Sequence, residues 1–376
     1  MAGLYVHIPF CKKRCLYCDF FSTTLLHRRK EYIAAVEKEI MIRKNEANEP
    51  IRTIYIGGGT PSSLETADIK RILDAIGIDG AEEITMELNP GDATREYLQD
   101  LHRMGIQRLS IGIQSFQDEL LQLIGRRHDA QQAVRTVRAA QEIGFDNLSI
   151  DLMYALPGQT AEQWKTDIET AIGLGIQHIS SYGLMYEEGT TMTLMRDKGE
   201  IKQTDEDTEN EMYDYLCERL KQAGYVHYEV SNFALPGYEA KHNSNYWNST
   251  PYIGIGAGAH SYIGNVRSWN PDDLDAYING IMACSLHTDT QIALESLREK
   301  EILTERDLFN EHIMRGLRTY RGILEPFSSQ YRADIERLDD LIKNGLLRNT
   351  SDGRIAATQK GLHVLNWIIE QLMIDE

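Results

Sequence analysis

Cysteine is scarce in this chain, with five in 376 residues. That excludes the dense disulfide framework of a small secreted domain. No run approaches the ~18–20 uninterrupted apolar residues needed to span a bilayer. The opening stretch MAGLYVHIPF has neither the basic n-region nor the long apolar core of a signal peptide, so the expected location is the cytoplasm. Basic charge is in deficit, 39 Lys and Arg against 57 Asp and Glu, for a net charge of −18. Such a balance disfavours non-specific binding to nucleic acid, whose phosphates demand a basic surface, though a local basic patch stays compatible with it. No amphipathic anchor is evident, which argues against permanent membrane attachment and leaves transient docking on a membrane partner open. Hydrophobic residues make up 42%, enough for a sizeable core. The length favours one large α/β domain with a smaller one beside it.

From residue 3 to about 190, short β-branched runs alternate with amphipathic stretches. The pattern predicts strands at Leu4–His7, Thr53–Gly57, Ile84–Leu88, Arg108–Ile113, Asn147–Leu152 and His178–Tyr182. Helical patterns such as EYIAAVEKEIMIRK, ADIKRILDAIGI and AVRTVRAAQEIGF lie between them. AEQWKTDIETAI follows a capping box, Thr160 with Gln163. Alternation at this spacing predicts βα units on a parallel sheet, six of them forming a partial barrel. Glu87, Gln114, Asp151 and Tyr182 all fall at or just past predicted strand ends, the end that carries the active site in βα barrels.

The few cysteines are not scattered. Cys11, Cys15 and Cys18 lie within eight residues, directly after the first strand. Three close thiols suit an iron–sulfur cluster, and with no fourth nearby they leave one iron without a protein ligand. An open metal position points to chemistry, a closed one to structure. A zinc knuckle is the alternative, but no second C-x2-C half or His pair stands out. Cys217, on the apolar side of a predicted helix over 205–225, reads as core, and Cys284 carries no assigned role. GGGTP at 57–61 ends the second strand, where glycines let the backbone approach a ligand closely. No Lys follows to make it a P-loop.

The C-x3-C-x2-C spacing resembles the signature of the radical S-adenosylmethionine (SAM) superfamily. YVHIPFC, YCDF, GGGTP, GIQSF, GRRH, DLMYALPG and YEVSNFA together resemble the family of oxygen-independent coproporphyrinogen III oxidase and its relatives, from residue 3 to at least 262. The resemblance implies a [4Fe–4S] cluster on Cys11, Cys15 and Cys18, and SAM bound to its open iron. It implies that Tyr5 packs on SAM, that Tyr17 joins the pocket, and that Gly58, Gly59 and Thr60 line the methionine end. Glu87 is then the acceptor for the ribose hydroxyls. Gln114, Arg126 and Asp151 complete the pocket around SAM or a second ligand. Without the family, Arg126 reads as a surface residue of an RRH turn.

Two features depart from the oxidase itself. Its pattern has another cysteine two residues after the third ligand, where this chain has Phe20, and an extension before the motif that is absent here. CDF, the short N-terminus and HNSNYW (242–247) resemble the haem-chaperone members of the family instead. That resemblance implies haem as a further ligand, with His242 as haem contact or axial ligand, and haem acceptors such as respiratory oxidases as partners. An imidazole can ligate haem iron, and aromatics can cover a porphyrin face. Read alone, HNSNYW is a structured loop around a buried aromatic corner. His260, in the glycine-alternating GAGAHSY, is a second candidate, in a neighbourhood that suggests a tight strand or bulge, where histidine is as often structural. The alternative function is the oxidase, a radical decarboxylase of porphyrin biosynthesis.

The chain divides by pattern into a SAM and cluster barrel (1–200), a barrel-completing extension with HNxxYW (201–300) and a winged-helix-like C-terminal domain (301–376). In the last, the stretch that would read DNA is ADIERLDDLI, with more acids than bases. The expectation is a packing or partner domain rather than a nucleic-acid binder.

Overall fold

A computed structural model describes residues 1–284, 296–324 and 335–374. Apolar residues two apart along the early runs form one continuous face, and each run is a strand. These are β1 (Ala2–Ile8), β2 (Ile51–Gly58), β3 (Glu83–Leu88), β4 (Arg108–Gln114), β5 (Asn147–Tyr154) and β6 (His178–Gly183). Each predicted strand lies inside the observed one. They pair in parallel and in chain order, as βα units require. The predicted helices are α1 (Arg29–Arg43), α2 (Thr66–Ile76), α3 (Arg95–Arg103), α5 (Ala130–Ile143) and α6 (Ala161–Gly173), with a short α4 (Asp118–Leu123) inserted after β4. The Thr160–Gln163 capping box opens α6.

The two faces of the sheet differ chemically. Leu4, Val6, Ile8, Ile54, Ile56, Ile111, Leu148 and Ile150 are fully buried in the main core, which the helices complete. The opposite positions are polar: Tyr5 and His7, Thr53 and Tyr55, Thr85 and Glu87, Arg108 and Ser110, Ser149 and Asp151. With a period of two, an apolar outer face puts these side chains into the interior of the partial barrel.

The sheet continues past both edges of the six-stranded unit. β7 (Val226–Glu229) and β8 (Asn232–Ala234) follow α7 (Thr191–Asp197) and α8 (Glu206–Gln222) and add antiparallel to β6. On the other edge β9 (Tyr252–Ile255) pairs parallel with β1. Beyond it come antiparallel β10 (His260–Ile263), β11 (Val266–Trp269) and β12 (Glu299–Ile302). The sequence EKEI leaves this last edge charged and fully exposed, which discourages further pairing. The YIGIGAGAH run makes the reversal from β9 to β10. A Cβ at Gly254 would collide with the His260 carbonyl, and Gly256 has a φ of +103°. Cys217 is core on α8, and Cys284 is buried at the end of α10 (Leu274–Ala283). The rest of the segment predicted around Cys284 lies outside the described residues.

One carboxylate fastens the added strands. Glu39 of α1 is fully buried and takes hydrogen bonds from Arg43 (2.6 Å), the Gly256 amide (2.9 Å), Asn270 (2.8 Å) and the Tyr277 hydroxyl (2.7 Å).

The C-terminal region has its own core, including Phe309, Ile313, Leu347, Ile355 and Ile368. A helix at Glu305–Leu317, capped by Thr304 and Asp307, precedes a short strand at Ile323–Leu324. Another helix spans Ile335–Lys343, a hairpin joins Leu347–Asn349 to Arg354–Ala357, and helices follow at Gln359–Leu362 and Leu365–Leu372. Of the stretch ADIERLDDLI, the first two residues lie outside the described residues.

Candidate functional site

A cavity of about 330 Å³ opens at the C-terminal ends of the parallel strands, and all three clustered cysteines line it. Their loop follows β1 and is tied down from several sides. The Cys11 amide donates to the Thr23 carbonyl (2.8 Å) and the Leu16 amide to that of Ile124 (3.1 Å). Asp92, in the loop after β3, holds Lys12 (2.7 Å) and Arg127 (2.6 Å) together. Burial pushes the Cys11 thiol up and that of Cys18 up to about 11. Free thiols there are protonated at neutral pH, so metal binding must release protons.

Among the described residues no three His, Cys, Asp or Glu side chains converge closely enough for one metal ion. The three thiols line one cavity. Three clustered thiols fit a cluster with one open iron better than a closed four-ligand zinc site. The surroundings agree. A Cβ at Gly59 would lie 3.0 Å from Cys11 Sγ and 2.8 Å from the Pro9 carbonyl, so only glycine leaves the backbone this close. Arg126 brings Nη1 to 3.4 Å from Cys15 Sγ, while its Nε is buried without a partner. It therefore points into the cavity beside the thiols and is not the surface residue that its RRH turn suggested.

The other predicted pocket residues gather in the same cavity. Gly58, Gly59, Thr60, Tyr17, Glu87, Gln114, Arg126 and Asp151 all line it. Thr60 Oγ1 is 3.3 Å from Cys11 Sγ. Glu87 accepts from the Tyr55 hydroxyl (2.8 Å) and the Gly58 amide (3.0 Å). Its lone pairs are not exhausted by two donors, which leaves room for a diol. Burial is the main cause that pushes its pKa up to about 7, and the Asp151 charge adds to it. Asp151 is also raised by burial and accepts from Ser110 (3.2 Å). Gln114 ends β4 at a bulge in the ladder, with a φ of +73°. A side chain in that left-handed region costs about 1–2 kcal/mol, and such strain concentrates at functional sites. Tyr17 lies beside Cys15 and Arg126, its hydroxyl held protonated by burial.

Two predicted residues are placed elsewhere. Tyr5 does not line the cysteine cavity. It faces the interior from β1, its ring 6.1 Å from that of Tyr55 and its hydroxyl 3.0 Å from His7 Nδ1, on the wall of the neighbouring cleft. His242 is 1% exposed. It sits in α9 (Lys241–Trp247), whose first amides are capped by Glu83 at 2.9 Å. Its Nδ1 meets Thr53 Oγ1 and its Nε2 the Tyr246 hydroxyl, each at 3.0 Å. Neither nitrogen is free for iron in this arrangement, and the reading of HNSNYW as a buried aromatic corner describes it better. The motif reaches the cysteine cavity through Asn243 instead.

Residues 5–171 match the model of the radical SAM superfamily. The chain is 37% identical to the heme chaperone HemW of Lactococcus lactis, covering 99% of this chain and 97% of that protein. It is 36% identical to the heme chaperone HemW of Bacillus subtilis, with 96% of each covered. The chain belongs to the HemW family of radical SAM proteins. Its fold is also that of the radical SAM enzyme coproporphyrinogen III oxidase (HemN) from Escherichia coli, with a TM-score of 0.79 and 25% identity over 99% of this chain and 89% of that one. Membership in the radical SAM superfamily implies SAM and a [4Fe–4S] cluster, and the donor set described above fits both.

Sequence reasoning missed Tyr55, Ser110 and Ser180, which line the cavity from β2, β4 and β6. For Tyr55 and Ser110 the signal was present: each lies on the polar face of a strand otherwise apolar at alternate positions.

Proposed function

We propose that this protein is a haem chaperone that carries a [4Fe–4S] cluster and SAM and delivers haem to haem-dependent acceptors such as respiratory oxidases. The observation that carries this reading is Phe20. It stands two residues after Cys18, where the oxidase pattern has a cysteine, and is 65% exposed at the mouth of the cysteine cavity. An apolar aromatic there offers no thiol for chemistry and a flat surface for a porphyrin. The near-full-length likeness to proteins named as heme chaperones supports the same assignment.

Cys11, Cys15 and Cys18 would hold the cluster, which supplies an electron to SAM when bound and reduced. Gly58, Gly59 and Thr60 would bring their backbone to the methionine end. Glu87 would accept the ribose hydroxyls, for which its carboxylate must be ionised. Arg126 would pair its guanidinium with the methionine carboxylate, and Gln114 and Asp151 would close the far wall.

The likeness in fold to coproporphyrinogen III oxidase favours one other reading, decarboxylation of coproporphyrinogen III. Anaerobically reconstituted protein, incubated with SAM, a reductant and coproporphyrinogen III, is expected to yield no decarboxylated porphyrin. The same protein should take up haem and pass it to an apo-acceptor. Multiple turnovers to protoporphyrinogen would overturn the chaperone assignment.

A further inference from the structure

Beside the cysteine cavity lies a larger cleft of about 660 Å³. The two share Asp19 and Phe20. Tyr5, Phe21, Tyr246, Tyr252 and Trp269 give the cleft an aromatic lining. Its volume lies in the ~300–1,000 Å³ range of sites that enclose a small ligand.

Two histidines line this cleft. His7 has both ring nitrogens engaged, Nδ1 with the Tyr5 hydroxyl (3.0 Å) and Nε2 with the Phe21 carbonyl (2.9 Å). The His260 ring has no hydrogen-bond partner among the described residues. It is presented by the reversal at Gly256 and Gly258, where the Gly258 amide donates to the Pro271 carbonyl (2.9 Å) and the Asn270 amide to that of Ala259 (3.0 Å). It pairs across the strands with Trp269, the rings stacked at 5.6 Å and 19°. The imidazole is thus held in place by backbone and stacking, with its nitrogens left free. The cleft walls and then Arg267 lower its pKa, which keeps the lone pair available at neutral pH. An exposed imidazole stacked on an aromatic wall, its nitrogens without a protein partner among the described residues, matches the axial and face contacts of a metalloporphyrin.

The charges around it are acidic. Asp19, Asp272 and Glu299 line the cleft, and Arg267, the cation that acts on His260, is paired with Glu311. The residues lining the cleft include no Lys or Arg to pair with a porphyrin's carboxylates, which would favour their facing solvent. The contact is by iron and ring rather than by carboxylate, which suits a ligand that must be released.

We propose that His260, not His242, is the axial ligand through which this protein holds haem iron, with the porphyrin in the cleft walled by Trp269 and Tyr246. The assignment rests on the haem-chaperone reading. Anaerobically reconstituted full-length protein is titrated with hemin and, separately, with metal-free protoporphyrin IX, following the Soret band. His260→Ala is expected to lose the imidazole-ligated Soret spectrum and weaken hemin binding by about tenfold or more, with protoporphyrin IX affinity unchanged. His260→Cys should convert the spectrum to a thiolate type. His242→Ala should keep the wild-type spectrum. Cluster absorbance, unchanged in all three, confirms folding. A wild-type protein that binds no hemin overturns the chaperone reading and this assignment with it. Hemin binding by His260→Ala with wild-type spectrum and affinity overturns the assignment alone. So does an equal loss of hemin and protoporphyrin IX, which would make His260 a packing residue only.

Discussion

Glu87 shows how one side chain couples stability to ligand binding. Its carboxyl sits against Tyr55 and Gly58 in the cavity, and burial pushes its pKa up to about 7 from an ordinary 4.5. An acid with a raised pKa binds its proton more tightly folded than unfolded. Its favourable contribution is therefore full below pH 4.5 and is lost as pH rises to about 7. Glu87→Gln removes this penalty. The unliganded variant should gain about 1–3 kcal/mol relative to wild type between pH 5 and pH 8, the range allowing for solvent in the cavity. Urea melts at the two pH values measure this. SAM affinity should fall in the same variant, because an amide is a poorer acceptor for a diol; equilibrium dialysis with SAM checks it. His242 is the counter-example among single residues. Its type suggested a ligand, and its two hydrogen bonds, to Thr53 and Tyr246, make it a brace.

Among the elements, the buried pairing of α1 with the added strands is the most exposed to mutation. Glu39→Ala would strip Arg43 of its buried partner and leave Tyr277 without its acceptor, while Asn270 keeps the Gly256 carbonyl at 2.8 Å. Removing one member of a buried ion pair costs about 3–5 kcal/mol, although Arg43 keeps Glu46 at 2.8 Å. The expected outcome is a loss of that size in a denaturant melt. β9 to β11 should also show faster hydrogen exchange, because Gly256 loses its amide acceptor. The six parallel strands were legible as runs of alternating or β-branched residues. β9 to β12 were not, because four-residue strands carry too short a pattern to separate from loop. The candidate site was legible to the same degree. The cysteine spacing and the strand-end residues came from local sequence, while the surroundings of Tyr5 and His242 could not be read from it, because burial is not written locally.

At the scale of the molecule, the barrel and the C-terminal region have separate cores. They meet through polar contacts such as Gln359 to Asp214 (2.8 Å) and His363 to Asn210 (2.8 Å), with the Val230 amide donating to the Arg318 carbonyl (2.9 Å). Ile368 is fully buried in the C-terminal core. Ile368→Ala should therefore lower the stability of that region by about 2–5 kcal/mol. Cluster absorbance after reconstitution should match wild type. A parallel loss of cluster would show that the two regions fold as one cooperative unit.

The sequence by itself determined the parallel βα order, the thiol triad and the polar strand ends, because each is set by spacing of a few residues along one chain. Only the tertiary structure decided what surrounds those residues. Glu83 closing the start of α9, Asp92 clamping Lys12 to Arg127, and the Asn270 and Pro271 backbone tying down the reversal that carries His260 all join residues distant in sequence. Whether a histidine can bind iron depends on which of its nitrogens are already hydrogen-bonded. Those bonds are made by neighbours that folding brings in, which no local pattern specifies.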